Sequence, residues 1–335
     1  MIVDLLYAAL GLTILLLAGD SLVRGAVNLS LRLGVPALIV SLTIVAFGTS
    51  APELLISVKA VLENAPGIAL GNVVGSNTAN VLLVLGVPAL MTGLSTHECD
   101  TRRTYTLMLA ASLFFLSLCL VGPLTWVHGL ALLAVLTVVL ADAFLSARNY
   151  RRDNAVLAGP TPDPGAGAAP DAPAEPEIDE IEGADPSLGW PKILVFLALG
   201  LLGLPLGADL LVDSSMNIAR TLGVSETVIG LTLVALGTSL PELATTVMAA
   251  LRRQADVAMG NVIGSNMFNL LAIIGLASLV GDIPVPAEML RFDLWVMLGA
   301  SVLLVPFIFL KWGLGRAWGA VFLGLYALYI LMVLT

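Results

Sequence analysis

The chain has 335 residues, 58% of them hydrophobic and 12% charged, about half the charged share of a typical soluble domain. A mean hydropathy of +0.99 excludes a water-soluble globule, a disordered chain and a disulfide scaffold, which leaves a polytopic membrane protein. The net charge of −9 is local: nine of the 24 acids and no base lie between Asp153 and Asp185, and the remaining 15 acids balance 15 Lys and Arg, so no nucleic-acid partner is implied.

A bilayer core takes about 20 apolar residues per helix. Ten stretches qualify in chain order: 3–23, 36–61, 68–91, 103–121, 125–147, 189–212, 224–251, 256–280, 292–311 and 315–334. The first lacks a basic start and a small-residue cleavage site, so it is expected to stay as a span. Twelve Lys and Arg fall on one face of this layout and three, Lys59, Arg220 and Arg291, on the other. The richer face is then cytoplasmic, with both termini outside a cell inner (plasma) membrane.

Residues 1–147 form a first five-helix half, 148–188 a cytoplasmic acidic Pro/Ala-rich linker, and 189–335 a second half. The linker, with runs such as AGPTPDPGAGAAPDAPAEPE, cannot build a core and is expected to be a solvated spacer. The alternative for Glu175, Glu177, Asp179, Glu180 and Glu182 is weak cation sensing. Cys99 and Cys119 are too few for a disulfide framework and are read as small packing residues.

The two halves repeat. Residues 20–87 align without a gap on 209–276, and 30 of the 68 pairs are identical, including Asp20 with Asp209 and Asn28 with Asn217. Equivalent points are five spans apart, an odd number, so the second copy crosses the membrane in the opposite sense. The expected fold is an all-α membrane protein of ten transmembrane helices, built as two inverted-topology five-helix repeats. Secondary transporters of this construction bind substrate near the midplane, where the halves meet.

In the second and seventh spans, TIVAFGTSAPE (43–53) matches TLVALGTSLPE (232–242). Glu53 and Glu242 sit in apolar surroundings with no Lys or Arg beside them, an arrangement that costs about 2.5–3.5 kcal/mol per acid on insertion scales and marks a functional site. Pro52 and Pro241 lack an N–H and are expected to free the carbonyls of Gly48 and Gly237, opening the helix beside each glutamate. Thr49, Ser50, Thr238 and Ser239 add hydroxyl oxygens on the same turn.

In the third and eighth spans, GNVVGSNTAN (71–80) matches GNVIGSNMFN (260–269). The glycines permit close backbone approach. Ser76 with Asn80, and Ser265 with Asn269, are four residues apart and share a helix face. Asn72, Asn77, Asn261 and Asn266 are expected to bond backbone at the breaks more than to ligate. An all-oxygen set with two negative charges and no Cys or His suits a hard cation such as Ca2+.

These paired GTSxPE and GNxxGSNxxN blocks resemble the alpha-1 and alpha-2 repeats of the cation/Ca2+ exchanger superfamily, and most of all prokaryotic sodium/calcium exchangers. The resemblance implies a sodium/calcium exchanger-like fold, with the second, third, seventh and eighth spans as the ion-binding core and the first and sixth as long sliding helices. It implies exchange of several Na+ for one Ca2+. Glu53 and Glu242 would be the shared Ca2+ ligands, with Thr49 and Thr238. Sodium would take the carbonyls of Ala46 and Ala235 with Ser50, Ser76, Ser239 and Ser265, and Asn80 and Asn269 match the remaining central position. Both being Asn argues against a K+ requirement.

The leading expectation is thus an Na+/Ca2+ antiporter, with a Ca2+/H+ antiporter, the same glutamates carrying protons, as the alternative. An intramembrane hydrolase is disfavoured because its polar groups would not be duplicated. A channel is disfavoured by the inverted repeat. Na+ and Ca2+ are substrates, the lipid bilayer is the surroundings, and no cofactor or obligate protein partner is expected. Asp20 and Asp209 are expected to be structural or interfacial, and Asp142 has no assigned role.

Overall fold

The structure, a computed structural model, describes residues 2–94, 101–157, 185, 187–222 and 235–334. Cys99, His97, the acids from Glu175 to Glu182 and the start of the seventh span lie outside these residues. The regular structure is helical, and β-pairing among the described residues is confined to two isolated bridges.

The helices are α1 (Ile2–Leu33), α2 (Ala37–Thr49), α3 (Ala51–Leu62), α4 (Pro66–Met91), α5 (Arg102–Val121), α6 (Trp126–Leu157), α7 (Trp190–Thr221), α8 (Ala235–Thr238), α9 (Leu240–Leu251), α10 (Ala255–Val280), α11 (Ala287–Phe309) and α12 (Arg316–Leu334). Eight of them are long and apolar enough to cross a bilayer, and α2 with α3 forms a ninth span bent by 44°. Helices α8 and α9 are the described part of the tenth.

Three limits differ from the sequence expectation. Helices α1 and α7 each run 32 residues, past the expected ends at 23 and 212, because the polar stretches that follow hold no proline to stop a helix. Helix α1 stops only where Gly34 adopts φ 63° and the Val35 N–H reaches back to the Ser30 carbonyl at 3.0 Å, a left-handed glycine cap followed by Pro36. Helix α6 continues to Leu157, so the first residues assigned to the linker prolong the fifth span.

Helices α4 and α10 form the centre: 78% and 89% of their most apolar windows are buried, against 39% or less for the other six full-length spans. Helices α1 and α7 cross antiparallel at backbone contact. A Cβ on Gly11 would lie 2.7 Å from the Leu211 nitrogen, and one on the equivalent Gly200 would lie 2.5 Å from the Leu22 Cβ. The two halves also meet through their loops, where Leu94 pairs with Leu314 and Leu124 with Ile283.

One pair of contacts breaks the symmetry. Helix α1 lies along α9, whereas its counterpart α7 stands off α3. On that account Ala244 in α9 is 7% exposed and its equivalent Leu55 in α3 is 71% exposed.

Candidate ion-binding site

The break in the second span falls at Ser50, two residues before the proline. Helix α2 ends at Thr49, Ser50 leaves helical geometry at φ −85° and ψ 4°, and α3 begins at Ala51 with Pro52 in its first turn. Ser239 repeats this at φ −88° and ψ 1°, with Pro241 in the first turn of α9. Proline tolerates this position because the first-turn N–H groups have no intrahelical partner anyway. Glu53 and Glu242 therefore stand in the first turn of α3 and of α9, beside the positive end of the helix dipole.

Both glutamates are 1% exposed, although they lie in the apolar interior. They come from opposite halves and converge: the Ser50 hydroxyl, beside Glu53, donates to Glu242 Oε1 at 3.3 Å, and the two carboxylates feel each other's charge. Thr49 and Ser265 also face Glu242. The Thr49 hydroxyl lies 3.3 Å from the Ala46 carbonyl, 3.4 Å from Asn261 Oδ1 and 3.5 Å from Ser265 Oγ, and it can donate to one of them at a time.

The asparagines sort by position. Asn72 donates to the Glu53 carbonyl at 3.4 Å and to Ser57 Oγ at 3.1 Å. Asn261 donates to the Glu242 carbonyl at 3.3 Å and to Thr246 Oγ1 at 3.1 Å. Each brace ties the opened helix to the central helix behind it. Asn77 donates to the Asn266 carbonyl at 3.2 Å, and Asn80 to Asn266 Oδ1 at 3.0 Å, so the two central helices are bonded across the repeat. Asn80 and Asn269 sit in π-helical turns, Asn80–Val84 and Phe268–Ile273, a distortion concentrated at functional sites.

The glycines of the second copy, Gly260 and Gly264, act as expected, whereas among the described residues a Cβ on Gly71 would meet only the Met289 side chain at 3.5 Å and one on Gly75 nothing within 4 Å. A Cβ on Gly260 would come within 2.8 Å of the Leu38 carbonyl oxygen, and one on Gly264 within 2.5 Å of that of Leu42, so α10 touches the backbone of α2. Ser41 donates to the Val257 carbonyl at 2.6 Å along the same seam.

Six buried oxygens of the repeated blocks have no hydrogen-bond partner among the described residues: Glu53 Oε2, Glu242 Oε2, Ser239 Oγ, Asn77 Oδ1, Asn80 Oδ1 and Asn269 Oδ1. A buried oxygen without a donor costs about 1–3 kcal/mol, and a cation is a partner that suits several at once. Ser76 and Ser265 are buried beside them, and Thr238 closes the short helix that Ala235 opens. Among the described residues no group of three or more His, Cys, Asp or Glu could hold a metal ion; the carboxylates that meet here are two, Glu53 and Glu242, and the other oxygens are neutral.

Outside the centre, Asp20 accepts from Arg24 Nε at 3.0 Å and from Arg252, an interfacial role of the kind expected. Asp142 pairs with Arg103. The motif reading gives no role to Ser57 and Thr246. Both carry a hydroxyl four residues after the glutamate at equivalent points of the repeat, and that matched polarity is the signal.

The profile of the sodium/calcium exchanger protein family matches residues 3–144 and 192–335. The sodium/calcium exchanger MaX1 of Methanosarcina acetivorans is 33% identical, covering 99% of this chain and 98% of that protein. Inner membrane protein YrbG of Escherichia coli is 31% identical over 88% of this chain and 85% of its own length. A solved structure of the sodium-calcium exchanger NCX_Mj superposes with a TM-score of 0.79 at 30% identity, covering 99% of each chain. Matched in both halves and along nearly its whole length, the chain belongs to the sodium/calcium exchanger family, as a multi-pass membrane antiporter of the cation/Ca2+ exchange type.

Proposed function

We propose that the protein exchanges Na+ for Ca2+ across a cell inner membrane by alternating access, with Ca2+ shared between Glu53 and Glu242. The observation that carries this reading is the meeting of two buried carboxylates from opposite halves among neutral oxygens without hydrogen-bond partners. Thr49 and Thr238 assist at Ca2+. The carbonyls of Ala46 and Ala235 serve Na+ with Ser50, Ser76, Ser239 and Ser265, while Asn80 and Asn269 complete the centre. The Ala46 carbonyl accepts the Ser50 N–H at 3.0 Å; when the Thr49 hydroxyl turns from it to Asn261 or Ser265, its second lone pair is left for an ion.

Two carboxylates balance one divalent or two monovalent ions. Left doubly charged in a medium of low dielectric the pair is strongly disfavoured, so one load leaves as another arrives, and that substitution is exchange. Neutral hydroxyl and amide oxygens are of use to Na+, which needs a coordination shell, and of none to a proton. The arginine-rich face is cytoplasmic by its charge, with both termini outside, and the location is supported by the Escherichia coli relative, inner membrane protein YrbG.

The test is 45Ca uptake into Na+-loaded proteoliposomes with the pH gradient collapsed by ionophore. Uptake is expected in the wild type and its loss in Glu53→Gln and in Glu242→Gln, each still folded. Uptake driven by a pH gradient and indifferent to Na+ would make the protein a Ca2+/H+ antiporter; normal exchange in either variant would remove the glutamates from the site.

A further inference from the structure

The broken symmetry at the ends of α9 and α3 has a charge counterpart. On the arginine-rich side, Arg252 at the end of α9 pairs with Asp20 of α1, and Asp20 is held from its other oxygen by Arg24 at 3.0 Å. The Asp20 and Arg252 side chains are 20% and 16% exposed, so solvent screens this pair less than a surface ion pair. One residue before Asp20, Gly19 lets the two helices close: a Cβ there would stand 3.0 Å from the Ala244 carbonyl oxygen and 3.2 Å from the Met248 Cγ.

Carried through the repeat, Asp20, Arg24 and Arg252 become Asp209, Asp213 and Glu63. A set of two bases and one acid is replaced by three acids. Like charges cannot draw α7 onto α3, and the Glu63 carboxylate instead lies 3.8 Å from Lys59 of its own helix, both side chains well exposed. Packing and charge agree: α9 is fastened to α1 on the side with Asp20 and Arg252, and α3 is not fastened to α7 on the side with the three acids.

We propose that Arg252 and Asp20 are positioning residues that fasten α9 to α1 and hold shut the mouth of the ion pathway on the arginine-rich side, so that the unloaded protein rests open to the opposite side. Neither touches the transported ion. They act by adding to one of two otherwise equivalent half-conformations a contact that the other lacks, which is all that a population shift requires. The sidedness, cytoplasmic mouth shut and external mouth open, rests on the orientation proposed above.

The experiment uses the full chain in proteoliposomes, with Cys99 and Cys119 replaced by Ala and one reporter cysteine placed at Ala244 or at its counterpart Leu55. A membrane-impermeant thiol reagent is applied from each side. The Leu55→Cys reporter is expected to label in the wild type and the Ala244→Cys reporter to be protected. Arg252→Gln or Asp20→Asn should raise Ala244→Cys labelling about tenfold, a shift of the size ordinary coupling between states supplies, and Arg252→Lys should restore protection. Glu63→Arg, at an exposed position where folding is not at stake, should create the missing fastening to Asp209 and lower Leu55→Cys labelling by a similar factor.

Unchanged labelling in folded Arg252→Gln and in Glu63→Arg would overturn the proposal, as would a protected Leu55→Cys in the wild type. A role in stability alone would lower the melting temperature without moving either reporter, and would count against it equally. Labelling needs no ion transport, so a wild type that fails to exchange Ca2+ for Na+ would sink the functional reading and leave this test intact.

Discussion

Asn72 and Asn261 carry more than their sequence signal promised. Each holds the carbonyl of a glutamate and a hydroxyl four residues on, so each fixes the direction in which the carboxylate leaves its helix. Asn72→Ala and Asn261→Ala are therefore expected to weaken apparent Ca2+ affinity about 5- to 10-fold, the equivalent of one hydrogen bond of roughly 1 kcal/mol, with the maximal rate less affected; Ca2+ titration of Na+-driven uptake measures it. At this scale the site was legible because polar residues recur in register in otherwise apolar sequence. The expectation that Asn72, Asn77 and Asn261 bond backbone agrees with these contacts; what could not be read was the partner of each, since that depends on the rotation of α4 and α10 about their axes, and their π-helical turns alter it.

Among the elements, the breaks open beside the glutamates as expected, and the residues that leave the helix are the serines. Pro52 and Pro241 sit inside the new helix and not at its rupture, because a first-turn proline costs no hydrogen bond, while Ser50 and Ser239 take the non-helical geometry. The lengths of α1 and α7 were underestimated for a related reason: hydropathy finds the apolar segment, whereas a helix ends where backbone chemistry stops it, at Gly34 in α1. The glycines at their crossing give a sharp prediction. Gly200→Leu drives a side chain into the Leu22 backbone and should destabilise the protein by about 1–3 kcal/mol, seen as a lower melting temperature in detergent. Gly324→Ala, whose Cβ would meet nothing within 4 Å, should melt at or slightly above the wild-type temperature, since alanine favours a helix over glycine by about 1 kcal/mol.

For the whole molecule, three or more Na+ for one Ca2+, as the family resemblance implies, would move net charge, whereas the two Na+ or two protons that the carboxylates alone balance would move none. An imposed membrane potential should thus change the initial rate of Na+-driven 45Ca uptake severalfold, since about 2.3 kcal/mol per 100 mV acts on each charge moved; indifference to potential would count against this stoichiometry. Deletion of residues 160–180, acidic and Pro-rich in sequence, should leave uptake within about twofold, as befits a solvated spacer. The inverted repeat and the ten-span layout could be read from a constant register and a parity argument. The difference between the two mouths could not, although its charges were in plain view, because it arises only when α1 is seen against α9 and α7 away from α3.

The glycine-to-backbone seam between α1 and α7 leaves no slack for the two to slide past one another without lifting apart. In the alternating-access cycle proposed above they would move as a single seesaw beam laid across both halves, one end lowering as the other rises. Simultaneous opening at both ends would require the beam to split, so the same close fit that holds the two rods together guards the cell against an uncontrolled leak of ions down their gradients.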